Sequence, residues 1–153
     1  MFDKKFNPAL AQARTAIESH VRPEFQAPLA SCIESGREIL SKPELHELLM
    51  HQMATSHNPP KDAGAGATRM VYTLYEQGQN AGKPLPPEIL VPAAMIFAFE
   101  YLDLVAKTTG LKITPELIGQ VTTDTGDAML LAMRVTPLML LEIATMKSGM
   151  RTA

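Results

Sequence analysis

From Ile89 to Phe99 the chain carries eleven consecutive apolar residues, with no charged or hydrogen-bonding side chain among them. A helix that is apolar all round has to be covered on every side, by protein or by lipid. Glu100, Asp103 and Lys107 give the last turns a polar face, and Gly110 stands where a helix ends on a left-handed residue. The segment 87–109 therefore predicts a central, buried helix around which the rest of the chain is arranged.

A second apolar segment, 128–144, raises the question of membrane insertion. Both it and 89–105 are near the lower length limit for a membrane span. The first holds Pro92, Glu100 and Asp103, and the second Arg134, Pro137 and Glu142. Charged groups are costly in lipid, so core helices are the better reading and a membrane partner is disfavoured.

Helices are also what the remaining composition favours. Aromatic residues make up 5% of the 153 residues and tryptophan is absent. The runs between breakers are rich in Ala, Leu, Met, Glu and Gln, all good helix formers. Most of the twelve prolines stand where a helix should begin. Asn7-Pro8 gives an N-cap followed by proline at the first helical position. Ser41-Lys42-Pro43-Glu44 has capping-box spacing, and Thr114-Pro115-Glu116 combines a cap, a proline and an acid near the positive end of the helix dipole.

Between these starts, apolar residues recur at helical spacing. Leu10, Ala13, Ile17 and Val21 share one stripe; Phe25, Leu29, Cys32, Ile33, Gly36 and Leu40 share a second; Leu45, Leu48, Leu49 and Gln52 share a third. Pro28 falls inside the second stripe, so that helix either starts near Ala27 or kinks. His57–Gly66, with two prolines and two glycines, reads as a loop and a hinge between a three-helix part and the rest. A helix is expected from about Ala67 to Asn80, with Met70, Val71, Leu74 and Gly78 inward. Thr136-Pro137 reads as a fresh cap and first-turn proline, which favours two helices over 115–148.

Several short patterns approach known chemistry and fail on spacing or context. His46-Glu47-Leu48-Leu49-Met50-His51 is one residue too long for a zinc helix, because histidines at i and i+5 lie roughly 140° apart. No glutamate has histidine three residues later, which a carboxylate-bridged di-iron bundle needs. Asp124-Thr125-Gly126 matches the aspartic-protease tripeptide but lies among helical flanks, and reads as an exposed turn or helix junction. Gly64-Ala65-Gly66-Ala67-Thr68-Arg69 lacks the Lys-Ser/Thr of a phosphate loop and the third glycine of a dinucleotide fingerprint. What survives is an anion held by helix-start amides together with Arg69. Histidines 20, 46, 51 and 57 have no motif context. Cys32, the one cysteine, reads as a small buried hydrophobe.

The formal charge is −2, and the fourteen basic residues form no cluster beyond Lys4-Lys5, so no nucleic-acid footprint is evident. Met1–Lys5 is not followed by an apolar run, which argues against secretion and for a cytoplasmic or virion setting.

The C-terminal stretch is the most informative. Met129, Met133, Met139, Met146 and Met150 interleave with Leu130, Leu131, Leu138, Leu140 and Leu141. Methionine adapts to irregular or exchangeable surfaces, and this segment is apolar on more than one face. The expected fold is all-α, a single domain over 1–153 packed as an irregular bundle of about six or seven helices. The expected function is a non-enzymatic structural or assembly protein in a homo-oligomer or larger particle, such as a phage virion component. Its partners are itself or other protein subunits, met through Met129, Met133, Leu138, Met139, Leu141 and Met146. No catalytic residue, metal ligand or cofactor is assigned. The alternatives are a membrane-active protein inserting 89–105 and 128–144, and a small-molecule-binding or enzymatic helical domain with a pocket near Asp124, Asp127 or Arg69.

Overall fold

A computed structural model describes the backbone of residues 6–147 and the side chains of residues 6–133. The described residues form six α-helices: α1 (Pro8–Ser19), α2 (Pro23–Leu40), α3 (Pro43–Ala54), α4 (Pro59–Asn80), α5 (Leu90–Thr109) and α6 (Pro115–Lys147). A 3₁₀ turn over Pro87–Ile89 leads into α5, and no strand occurs among the described residues.

Five of the six helices begin at a proline. The proline loses nothing there, because the first amides of a helix have no intrahelical acceptor. Asn7 Oδ1 accepts the amides of Ala9 and Leu10 at 2.9 and 3.2 Å, and Thr114 Oγ1 accepts the Leu117 amide at 3.1 Å. The capping box expected at Ser41 does not form. Ser41 is the C-terminal cap of α2, and its hydroxyl donates back to the Glu38 carbonyl at 2.8 Å.

α5 is the hub and packs against every other helix. Its buried residues run from Leu90 to Val105 on all sides of the helix, and Gly110 closes it at φ +76°. Leu29, Cys32, Ile33, Gly36 and Leu40 of α2 lie buried together, as their spacing requires. Phe97 seats its ring directly on Gly36, in the space a side chain would fill.

Further expectations are corrected. The loop placed at His57–Gly66 is mostly helix. α4 begins at Pro59, capped by Asn58 Oδ1 on the Lys61 amide, and both glycines lie inside it. Gly64 is there for close approach, since a Cβ would stand 2.9 Å from Thr125 Oγ1 and 3.1 Å from the Thr125 backbone on α6. Of the two outcomes expected at Pro28, a start near Ala27 does not occur, because α2 spans Pro23–Leu40 around it. The break expected at Thr136-Pro137 is absent, and α6 is one helix of 33 residues, about 50 Å long. A proline inside a helix removes one backbone hydrogen bond, a loss that a long helix with many other bonds can carry.

Candidate functional site

Of the polar face expected on α5, Lys107 is exposed but Glu100 and Asp103 do not face solvent. Glu100 and Asp103 are 0% and 1% exposed. Arg37 of α2 donates to Glu100 Oε1 from Nε at 2.9 Å and from a terminal nitrogen at 2.7 Å. Arg14 of α1 brings a second guanidinium to 3.6 Å from the same oxygen. Glu100 Oε2 has no hydrogen-bond partner among the described residues. Burial raises the Glu100 pKa, against the hydrogen bond and charge of Arg37 and the charge of Arg14, and the Asp103 charge adds to the rise. Asp103 Oδ1 accepts the Asn7 amide at 3.1 Å, and Lys107 Nζ lies 2.6 Å from Oδ2. These two carboxylates thus clamp α1 and α2 onto α5. The arrangement joins three helices at one buried point.

Two surfaces stand out on the outside of the bundle. The first is on α6. Met129 is fully buried and Met133 packs partly buried against the core. The neighbouring Leu130 and Leu131 are 55% and 60% exposed. Asp127, one turn earlier, is also exposed, so Asp127, Leu130 and Leu131 share one side of the helix at i, i+3 and i+4. Among the described residues the Asp127 carboxylate has neither hydrogen bond nor ion pair.

The second surface is a groove of about 400 Å³ between α3 and α4, floored by Leu40 of α2 and Tyr101 of α5. Leu45, Leu48 and Leu49 line its α3 side, and Met70, Thr73 and Arg69 its α4 side. Leu45 and Leu48 are 39% and 53% exposed. The Arg69 guanidinium is exposed and makes no ion pair or hydrogen bond among the described residues. Tyr101 is 2% exposed, and its hydroxyl is likewise without a partner there. Burial, then the Glu100 charge, pushes that phenol upward, while Arg69 opposes the rise.

The residues singled out in the sequence are spread across the bundle. The Asp124-Thr125-Gly126 tripeptide is neither an exposed turn nor a junction. It lies inside α6, with Thr125 buried against Gly64. The anion site expected from Gly64–Arg69 does not assemble, because α4 starts at Pro59 and Gly64 and Gly66 are interior helix residues. Among the described residues no three His, Cys, Asp or Glu side chains converge as metal ligands. Cys32 is buried, and burial pushes its thiol up to about 11. Of the interface residues expected on α6, Met129 is a core residue and Met133 is partly covered; Leu138, Met139, Leu141 and Met146 lie outside the described side chains. Leu130 and Leu131 were not in that expected set, because their exposure depends on which side of α6 meets α4 and α5.

Compared with protein-family models, characterised proteins and solved structures, the chain matches none. One described helix, spanning Pro87–Thr109, is long and apolar enough to cross a membrane, and 78% of its most apolar window is buried inside the bundle.

Proposed function

We propose that this protein is a non-enzymatic structural or assembly subunit that associates with further copies of itself through the outer face of α6. The observation that carries the reading is the pair Leu130 and Leu131, adjacent and more than half exposed on a helix whose opposite side is core. Large exposed apolar patches mark interaction sites in folded proteins, and these adjacent leucines are the most exposed large apolar side chains among the described residues. The helix bearing it runs on to Lys147, eleven residues longer than α4. The polar interior also supports the reading, since Glu100 ties α5 to Arg37 of α2 and Asp103 accepts the Asn7 amide at the start of α1. A virion particle is one setting in which such a subunit would work.

Light scattering on the purified double variant Leu130→Glu/Leu131→Glu tests this. The wild-type chain is expected to run as an oligomer and the variant as a monomer with an unchanged helical circular-dichroism spectrum. Equal masses for the two proteins would refute the reading.

A further inference from the structure

We infer that the α6 face of one copy docks into the α3/α4 groove of another, with Asp127 paired to Arg69. This rests on the proposed self-association and names the surface that receives α6. The two surfaces are chemical complements. The groove presents the exposed Leu45 and Leu48 beside one unpaired guanidinium. The helix presents the exposed Leu130 and Leu131 one turn from one unpaired carboxylate. An amphipathic helix laid in an apolar groove is recognised by anchors at i, i+3 and i+4, and a single charge pair fixes its register and direction. A chain of net charge −2 gains little long-range attraction for another copy, so a local pair of opposite sign has to supply the orientation.

The contact is between molecules. α4 packs against both α3 and α6, with the Arg69 groove on its α3 side, while Gly64 meets Thr125 on its α6 side. A chain therefore cannot fill its own groove with its own α6. The groove also suits a helix better than an enclosed small ligand, because Leu45 and Leu48 stand open on its rim, whereas small-molecule pockets bury most of their ligand. Tyr101 adds a second donor on the groove floor, an unpartnered hydroxyl on a side chain otherwise buried. Because the two surfaces differ, a pair of copies either closes through two such contacts or leaves one groove and one helix face free for the next copy.

Charge reversal with complementation tests the contact. R69D and D127R change exposed positions, so the fold is expected to survive, as circular dichroism would verify. Each single variant is expected to weaken self-association by roughly tenfold or more, in keeping with like charges facing each other. An equimolar mixture of the two is expected to regain the wild-type mass, because each variant's reversed charge then meets its complement. Two results would overturn the inference. In the first, both single variants keep the wild-type mass while Leu130→Glu/Leu131→Glu is monomeric; α6 then associates elsewhere and the proposed function stands. In the second, the wild-type chain is monomeric and laurate raises its unfolding temperature only when Arg69 is present; the groove then holds a small amphiphilic carboxylate, and both readings fall.

Discussion

Arg37 directs two of its nitrogens, at 2.9 and 2.7 Å, onto the same oxygen of Glu100. A guanidinium more commonly spans both oxygens of a carboxylate as a fork. Here Oε1 takes both bonds and lies near Arg14 as well, and Oε2 is left in the core without a donor among the described residues. The pair therefore depends heavily on Arg37. Arg37→Leu is expected to destabilise the protein by about 3 kcal/mol, the lower end for a broken buried pair, because Arg37 itself is reached by water. Arg37→Leu/Glu100→Leu should recover most of that loss, since no charge is then stranded. Urea unfolding of the two variants checks this; equal losses in both would show that the charge pair is not what matters.

The same carboxylate sets a pH dependence. Burial raises the Glu100 pKa in the folded chain, so near and above the ordinary glutamate value of about 4.3 the folded state holds a proton that the unfolded state has released. Stability contributed by Glu100 is thus fullest below that value and declines as pH rises through the folded pKa. Glu100→Gln cannot titrate and should lack this decline. Unfolding midpoints measured across the acid range for both proteins check the difference, and parallel pH profiles would contradict it.

Much of the architecture was legible from apolar spacing. The stripe Leu29, Cys32, Ile33, Gly36 and Leu40 is buried as a unit, and the run through Phe99 is the hub of the bundle. Tertiary contacts decided what spacing could not. Gly64 and Gly66 read as loop residues because glycine weakens helices, yet Gly64 is inside α4 where α6 comes too close for a side chain. Glu100 and Asp103 read as a solvent face because nothing local announces that Arg37 and Asn7, far away in sequence, will meet them. The candidate surfaces were partly legible for the same reason. The spacing of Leu45 and Leu48 shows that they share a side of α3, but whether another helix covers that side is a property of the packed bundle.

Gly36 and Gly119 give an internal comparison. A Cβ on Gly36 would enter the Phe97 ring, while one on Gly119 meets nothing within 4 Å. Gly36→Ala should cost about 1–3 kcal/mol through overpacking. Gly119→Ala should instead stabilise α6 by about 0.5–1 kcal/mol, as replacement of an exposed helical glycine does. Denaturant unfolding separates the two, and matching shifts of the same sign would show that the Phe97 contact is not limiting.

Cys32 reports on the core. It is 3% exposed, and burial holds its thiol up at about 11. Thiolate is the reactive form, so a disulfide reagent at neutral pH should label the native protein only as fast as the core opens. The rate should rise together with unfolding in urea. Immediate labelling of the native chain would mean that α2 does not cover this position.

The central claim, assembly through the exposed leucines of α6, is tested most directly by the molar mass of the wild-type chain in solution. Light scattering over roughly 1 to 100 µM covers the range in which a specific association of moderate strength is seen. A mass well above the 16.7 kDa of one chain, rising with concentration, is expected. A constant 16.7 kDa throughout would contradict it.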